Sequence, residues 1–313
     1  MKLVRPFVRG AILSAAVASP AAAQLTQDVI VHSTLDEHPA YSDVWGYVAP
    51  GGDEYALLGT FGGTAVINIT APWAPYETGY FPGPGSTWRD IKTYQHYAYV
   101  TNEDSGGLEI LDLSDPENPV RLPAYTGFST AHNLFIDQAT ARCYIAGSDL
   151  GSGGVRILSL ANPTAPAEIG SWEDVYFHDV TVQDDVLYGS AINDATLRIL
   201  NAANPASLVP LATIGGYPQA FTHAAWPTSD GTHVMTTDET AGAACRMWNV
   251  ATQLQTDLYL PNPTTVPHNV IIEDELAYIS HYTLGVRIVD VTDPAALQEL
   301  AWHDTWPLDD NGT

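Results

Sequence analysis

Four of the ten histidines in this sequence recur at an almost constant interval. They are His132, His178, His223 and His268, and successive members are 46, 45 and 45 residues apart. Neutral imidazole is a favoured ligand of transition metals, and a neighbouring carboxylate can fix the tautomer of the ring or join the coordination shell. The interval therefore predicts a site that collects one imidazole from each of several equivalent structural units.

The aligned positions define two adjacent columns and a set of polar chain ends. The histidine column contains Ser42, Arg89, His132, His178, His223 and His268, and the Asx column that follows it contains Asp43, Asp90, Asn133, Asp179, Ala224 and Asn269. In five of the repeats a second apolar run follows these columns, and most residues at its end are acids, amides or serines. These ends are 102–104, 148–149, 193–194, 238–239 and 280–281. We predict metal ligands at His132, His178, His223, His268 and Asp238, and ligand contacts at Arg89, Asp90, Glu103, Asp179, Glu239 and His281. Imidazole suits Zn²⁺ and carboxylate or amide oxygen suits Ca²⁺, so both ions are candidate cofactors.

A repeat of about 45 residues must position these columns. Its clearest element is a short strand of the form apolar–x–apolar–apolar–polar, whose polar residue falls at positions 68, 112, 159, 201, 249 and 290. An Asp-Pro, Asn-Pro or Ala-Pro turn follows five of these six strands, and Pro and Asx residues both favour turns. Four short strands per repeat are typical of a β-propeller blade. The sequence therefore predicts an all-β propeller with six four-stranded blades, whereas a β-sandwich would not need six copies of one pattern.

In a propeller the first strand of each blade lies innermost, and the second strand runs antiparallel to it. Both columns and the polar chain ends should therefore meet at one mouth of the central channel. A structural reading of the histidine column stands beside this one, because a residue repeated in nearly every blade often only braces neighbouring strands. Arg89 breaks the pattern, and it should pair with Asp90 or Glu103 or hold a substrate carboxylate through both ends of its guanidinium group.

Residues 1–23 have the form of a secretory signal peptide, with Lys2, Arg5 and Arg9, a short apolar run at 11–19 and a small-residue cleavage site at 21–23. The run is too short to span a bilayer, which needs roughly 20 apolar residues. We expect a mature chain that is secreted to the periplasm, the cell surface or the medium, without a transmembrane segment. Residues 24–41 should supply a closing strand at 28–33, residues 42–307 the propeller, and residues 308–313 a tail.

The charge balance restricts the partners. The chain has 36 acidic and 11 basic residues, for a formal net charge of −25. Nucleic acid and anionic membranes are bound by clustered Lys and Arg, so the sequence excludes both and favours cations or extracellular surface ligands. Cys143 and Cys245 lie in apolar runs, which favours two buried thiols, with a disulfide between them as the alternative. No GxSxG, HExxH, P-loop or GxGxxG motif occurs in a usable strand context.

The strands at 108–113, 155–160 and 286–291, with their Pro-containing turns, resemble LVIVD repeats. Segments 86–92, 131–133, 222–223 and 303–307 resemble the choice-of-anchor B family, and this resemblance runs from about residue 28 to residue 307. It implies a secreted or surface-displayed propeller, seven-bladed in most members, for which no common activity is known. Members usually continue beyond the block at 303–307, so either a seventh blade is incomplete here or the ring closes on six blades with the N-terminal strand added.

Two functions follow from these observations. The first is a non-catalytic binding or scaffolding module for an unidentified extracellular or surface ligand, favoured by the repeat and by the absence of a catalytic motif. The second is a metal-dependent hydrolase or lyase at the histidine-lined channel mouth, in which a carboxylate would activate a metal-bound water.

Overall fold

The computed structural model describes residues 26–306, and the regular structure in this range is almost entirely β-strand. A two-residue strand, β1 (Thr26–Gln27), precedes six four-stranded antiparallel sheets arranged as the blades of a propeller. The six-bladed β-propeller prediction is therefore confirmed. The predicted signal peptide and the predicted tail at 308–313 lie outside the described residues. Within 26–306 no helix has the length and apolar character needed to cross a bilayer.

The blades follow one another along the chain, each formed by four consecutive strands. Blade 1 contains β2 (Tyr41–Val48), β3 (Glu54–Thr60), β4 (Gly63–Asn68) and β5 (Tyr76–Pro82). Blade 2 contains β6 (Ile91–Tyr94), β7 (Tyr97–Val100), β8 (Leu108–Asp112) and β9 (Val120–Tyr125). Blade 3 contains β10 (Asn133–Asp137), β11 (Arg142–Ala146), β12 (Val155–Ser159) and β13 (Ala167–Trp172). Blade 4 contains β14 (Val180–Gln183), β15 (Val186–Ala191), β16 (Thr196–Asn201) and β17 (Val209–Gly215). Blade 5 contains β18 (Thr222–Pro227), β19 (His233–Asp238), β20 (Cys245–Asn249) and β21 (Gln255–Tyr259). Blade 6 contains β22 (Pro267–Glu273), β23 (Leu276–His281), β24 (Gly285–Asp290) and β25 (Gln298–His303).

Local sequence explains the turns between these strands. The hairpins that join the first and second strands of blades 4 and 6 have two central residues with positive φ, Asp184-Asp185 and Asp274-Glu275. Positive φ at both positions is the geometry that matches the twist of a tight hairpin. In the Asx-Pro turns the Asx side chain accepts a backbone hydrogen bond two residues later, as Asn204 does from Ala206 N at 3.2 Å.

Apolar residues on the strands form five hydrophobic cores, each between two consecutive blades from 1–2 to 5–6. The second strands of blades 2, 3 and 4 each contribute a buried tyrosine, and Tyr99, Tyr144 and Tyr188 are 0%, 0% and 2% exposed. Cys143 and Cys245 are buried free thiols, so the reading as two separate thiols is confirmed. Burial raises the pKa of both far above the ordinary value for a thiol.

The junction between blades 6 and 1 differs from the other five. Tyr278 and Val286 of blade 6 occupy the strand positions of Tyr188 and Leu197 in blade 4, yet both are 41% exposed, whereas the blade 4 residues are 2% and 0% exposed. On the other side of the junction Val44 of β2 is exposed as well. Among the described residues, blades 6 and 1 therefore lack the apolar core that joins every other pair of neighbours.

The N-terminal strand extends blade 6, but not where the sequence predicts it. Thr26 and Gln27 pair with His303 and Trp302, so β1 adds a fifth, outermost strand to that sheet. The predicted strand at 28–33 is wrong, because Asp28 has a φ of 53° and ends the extended conformation. The chain then follows the outside of blade 1, where Ser33 Oγ donates to the carbonyl oxygen of Pro72 at 2.6 Å, before it enters β2.

Candidate metal centre

Blades 3 to 6 each place one histidine at or just before the start of the innermost strand. The rings of His132, His178, His223 and His268 are in contact one after another, with centroid separations of 3.7, 4.2 and 4.2 Å. Adjacent ring planes are inclined by 42–55°, so the four imidazoles form a curved row, which we call the histidine arc. The predicted convergence of these four residues is what the structure shows.

Asp179 lies at the centre of the histidine arc. Its Oδ1 is 2.9 Å from Nδ1 of His178 and 3.8 Å from Nε2 of His132. Its Oδ2 is 3.8 Å from Nδ1 of His223. Burial alone would raise the pKa of Asp179, but the neighbouring His223 and the hydrogen bond to His178 hold that pKa far below its ordinary value. The carboxylate is therefore ionised and faces three imidazoles.

Glu103 fixes the first ring of the arc. It follows the second strand of blade 2, and its Oε1 is 2.5 Å from Nδ1 of His132. The hydrogen bond to His132 lowers the pKa of Glu103 below its ordinary value, so the glutamate is the acceptor and Nδ1 carries the proton. In the neutral ring the lone pair then belongs to Nε2, the atom that faces Asp179.

Glu239 lies at the other end of the arc. Its Oε2 is 3.8 Å from Nε2 of His223, and its Oε1 is 3.6 Å from Nε2 of His268. The hydroxyl of Tyr282 donates a short hydrogen bond to Glu239. Tyr282 is 45% exposed, so this end of the arc opens toward solvent. Nothing in the sequence pattern indicates this contact between Tyr282 and the carboxylate.

His223 is the most buried member of the arc, at 3% exposure, and its Nδ1 has no hydrogen-bond partner. Burial holds the pKa of His223 well below the ordinary value for imidazole, and the neighbouring histidines lower it further while Asp179 opposes them. Burial also lowers the pKa of His268. Both rings are therefore neutral at pH 7, which is the state in which imidazole binds metals.

The donor atoms of the arc fall into two groups in which every atom lies within 4.8 Å of every other. One group contains His132, His178, Asp179 and His223, and the second contains His223, Glu239 and His268. Three imidazole nitrogens and one carboxylate oxygen are a donor set that suits Zn²⁺ and related transition metals, whereas Ca²⁺ takes six to eight oxygen ligands. The chemistry of the donors therefore favours a transition metal over calcium.

The Asx column has a different role, because three of its six side chains tie one blade to the next. In these three the carboxylate or amide oxygen accepts a hydrogen bond from a backbone N–H at the start of the following blade: Asp43 from Ile91 at 2.8 Å, Asp90 from Leu134 at 2.7 Å and Asn133 from Val180 at 3.0 Å. Asp179 departs from this series and faces the imidazoles. Bracing between blades is therefore the role of the Asx column in blades 1 to 3, and the arc lies directly beside it.

Asp90 is further held by a buried lysine that the sequence did not single out. The ammonium of Lys92 forms a short ion pair with Asp90 and lies 3.8 Å from Asp43. Burial alone would lower the pKa of Lys92, but Asp90 and Asp43 raise it above its ordinary value. The one sign of this buried lysine in the sequence is its position, directly after the isoleucine that begins a four-residue strand. The contacts of Asp90 are therefore those of a brace between blades.

Arg89 does not form the pairs expected from the sequence. Its Nε donates to the carbonyl oxygen of Thr60 at 2.8 Å, and Nη2 donates to the carbonyl oxygens of Pro84 and Phe61. These bonds join blade 2 to the end of blade 1, and the expected pairing with Asp90 or Glu103 is corrected accordingly. Arg89 is 5% exposed, and its guanidinium donates to backbone carbonyls that lie where the chain enters blade 2.

Two further predicted residues lie outside the donor groups. Asp238 is fully buried and accepts hydrogen bonds from Phe221 N at 2.8 Å and Tyr217 Oη at 3.0 Å, and burial raises its pKa to about 6. Its neighbour Glu239 carries the carboxylate that reaches the arc. His281 is 2% exposed with neither ring nitrogen hydrogen-bonded, and burial together with Arg287 lowers its pKa to about 4.

A cavity of about 610 Å³ contains the arc and extends from it to the junction between blades 6 and 1. Its walls include all four arc imidazoles, Asp179 and Glu239 as well as Trp88, Val44, Tyr278 and Val286. The imidazoles are therefore connected to solvent on the side of the molecule that lacks an inter-blade core.

Comparison with known proteins agrees with the repeat and with the fold. Residues 84–126 match the model of the LVIVD repeat. The chain contains an LVIVD repeat. No functionally curated protein matches the chain.

Three similar solved structures share the fold with this chain. A Lactobacillus plantarum protein from structural genomics is 14% identical, with a TM-score of 0.60 over 78% of this chain and 81% of that one. Kuenenia stuttgartiensis hydrazine synthase is 12% identical, with a TM-score of 0.59 over 82% and 80%. A candidate 6-phosphogluconolactonase from Bacteroides fragilis is 12% identical, with a TM-score of 0.61 over 87% and 84%. At these identities the likeness concerns the fold alone.

Proposed function

We propose that this protein is an exported β-propeller that binds a divalent transition metal, with Zn²⁺ the best fit, through the histidine arc. The observation that carries the proposal is the convergence of His132, His178, His223 and the ionised Asp179 on one point of the channel. Small side-chain rotations would place each of these donor atoms at roughly 2.0–2.2 Å from a common zinc ion, the distance that zinc coordination requires. The metal would serve as the point of attachment for a ligand that enters the cavity.

Three features support a metal rather than a brace as the purpose of the arc. The imidazoles contact one another, but no hydrogen bond joins any two of them among the described residues. His223 has a buried ring nitrogen without a hydrogen-bond partner, and such a group normally costs stability. Glu103 orients His132 in the manner of a carboxylate behind a metal-bound histidine. A metal would satisfy the open nitrogens and neutralise the carboxylates.

The test measures metal content and affinity. Chain carrying residues 24–313 is stripped with a chelator, reloaded with Zn²⁺, desalted and analysed by elemental mass spectrometry and calorimetry. We expect bound zinc in the wild type and its loss in His178→Gln, while His32→Gln, at an exposed histidine outside the channel, retains it. Wild-type protein without bound metal, or equal zinc in His178→Gln, would overturn the proposal.

A hydrolase or lyase is the second candidate function, and Glu239 with Tyr282 is the observation that favours it. These groups lie beside the arc where the cavity opens, and a carboxylate there could take a proton from a metal-bound water. The activity ascribed to the Bacteroides fragilis protein suggests lactones as one substrate class. Zinc-loaded protein is assayed on a panel of esters and lactones, and turnover that survives Glu239→Gln would contradict this candidate.

Export is part of the proposal and has its own test. The sequence of residues 1–23 supports it. When the full chain is expressed in a bacterium with a general secretion pathway, we expect the mature protein in the periplasm or the medium, with an N-terminus near residue 24 by mass spectrometry. Retention of residues 1–23 in the cytoplasm would contradict export without affecting the metal proposal.

A further inference from the structure

We propose that His223 bridges two metal positions, so that the histidine arc holds a pair of ions rather than one. The inference rests on the proposed metal site and extends it. The two donor groups share one residue, His223, and their other members lie near different nitrogens of its ring. Nδ1 lies 3.8 Å from Asp179, while Nε2 lies 3.8 Å from Glu239. The ring therefore stands between two carboxylates, one on each side.

The remaining donors divide in the same way. On the Nδ1 side, His132 and His178 contact Asp179 at 3.8 and 2.9 Å. On the Nε2 side, His268 contacts Glu239 at 3.6 Å. Each side thus offers at least one imidazole and one carboxylate besides the shared ring, and such mixed nitrogen and oxygen sets suit zinc and copper.

The surroundings of the shared ring also suit a bridge. His223 is 3% exposed and is held between the rings of His178 and His268 at 4.2 Å on either side. Its Nδ1 is buried without a hydrogen-bond partner among residues 26–306, so no described residue occupies that nitrogen. A ring fixed in this way cannot turn to give one nitrogen to either side in alternation without displacing both neighbours.

The two sides differ in their access to solvent. His268 has a side-chain exposure of 36%, whereas His132 and His178 are at 12% and 15%. Tyr282, exposed at 45%, donates its hydroxyl proton to Glu239 on the same side. The ion between His223 and His268 is therefore the one that an incoming ligand reaches, and the ion at Asp179 is the more enclosed of the two.

The proton balance of the bridge is simple. Neutral imidazole has one N–H and one lone pair, so the first ion takes the lone pair. The second ion takes the place of the remaining N–H proton, which passes to the buffer, and the ring becomes a bridging imidazolate. No redox partner or further reactant is needed.

Copper titration of the stripped chain tests the bridge. We expect two Cu²⁺ per wild-type chain, and one in either His268→Gln or the double variant His132→Gln/His178→Gln, because each of them leaves one side with only a carboxylate beside the shared ring. Two copper ions joined by an imidazolate couple magnetically, so the EPR signal per bound copper should be reduced in the wild type. The signal per copper should recover in both single-site variants, and His32→Gln should match the wild type.

Each outcome decides between the two proposals. One ion per chain, lost in His132→Gln/His178→Gln and unaffected by His268→Gln, would overturn the bridge and leave the single metal site standing. Two ions with an unreduced signal per copper would also overturn the bridge, because the ions would not share His223. Absence of bound metal in the wild type would overturn both proposals. Circular dichroism of each variant establishes that it is folded before its stoichiometry is compared.

Discussion

Glu103 of blade 2 holds His132 of blade 3 across the blade boundary, with Oε1 only 2.5 Å from Nδ1. The contact fixes both the orientation and the tautomer of the first ring in the histidine arc, so that Nε2 faces Asp179. An acid at the end of a second strand thus sets the chemistry of a histidine at the start of the next blade. The two residues are 29 positions apart in the chain.

Replacing Glu103 should weaken metal binding without removing it. We expect Glu103→Gln to raise the Kd for Zn²⁺ by about tenfold or more, since loss of the partner behind a metal-bound histidine typically costs 10–100-fold in affinity. Isothermal calorimetry measures the change. Glu168→Gln, which removes an ion pair with Arg156 on the outer part of blade 3, is the control and should bind like the wild type. Equal Kd values for all three proteins would show that Glu103 does not act on the metal.

Asp90 should matter for stability far more than other acids near the channel. Asp90→Ala removes the acceptor for Asn133 and Leu134 and leaves the buried ammonium of Lys92 short of its nearest partner. Breaking a buried pair from one side costs about 3–5 kcal/mol. Urea unfolding should show a loss of this size for Asp90→Ala and little change for Asp104→Ala, which is exposed. A loss below about 1 kcal/mol in Asp90→Ala would contradict the brace.

His281 should make the protein less stable in mild acid. Its pKa is about 4 in the folded chain against an ordinary value of 6.5, so the unfolded chain takes up a proton first as the pH falls from 6.5 to 4. The free energy of unfolding therefore falls by about 3 kcal/mol in total across this window. Below pH 4 this residue causes no further loss. Denaturant unfolding at several pH values, with chelator present, measures the slope.

The matched variant for this prediction is His281→Gln, which cannot titrate. Its free energy of unfolding should fall less steeply than that of the wild type between pH 6.5 and pH 4. The lowered pKa values of His223 and His268 act in the same direction in both proteins, so their contribution cancels in the comparison. Parallel curves would mean that the pKa of His281 is the same in the folded and the unfolded chain, which would contradict the prediction.

Two equivalent strand positions should respond differently to the same truncation. Leu197 in blade 4 is fully buried, and Leu197→Ala should cost about 2–5 kcal/mol. Val286 occupies the same position in blade 6 but is 41% exposed, so Val286→Ala should cost less than about 1 kcal/mol. Chemical unfolding measures both. A cost for Val286→Ala as large as that for Leu197→Ala would show that this face of blade 6 is covered in solution.

The fold could be predicted from the sequence because each blade repeats one pattern of apolar strands and Asx-Pro turns. The same repeat placed the four histidines at one end of the channel, since equivalent positions in successive blades must converge. The N-terminal strand could not be located by such reasoning. An apolar run at 28–33 looks like a strand, but the pairing of Thr26 with His303 depends on how the chain leaves the sheet edge at Asp28.

The details of the site depended on facts that the repeat does not contain. Asp238 and Glu239 are adjacent acids at a strand end, and neighbouring side chains on a strand point to opposite faces. The sequence could not tell which of them faces the arc, and it is Glu239 that does so. Arg89 shares a column with the histidines, yet its guanidinium donates to the backbone carbonyls of Thr60 and Pro84. Whether a side chain binds backbone carbonyls or faces the arc depends on three-dimensional contacts that the repeat pattern does not contain.

The open junction between blades 6 and 1 gives the histidine arc a lateral entrance. A typical propeller channel admits only what can travel along its axis, so the radius of the ring limits the size of the guest. Here the cavity that holds the imidazoles also reaches Val44 and Val286 on the two sides of the junction. If the arc holds the proposed metal, the spacing between blades 6 and 1 in the described part of the chain, rather than the bore of the channel, would set which ligands reach it, and a loop or the side of a polymer could enter without a free end.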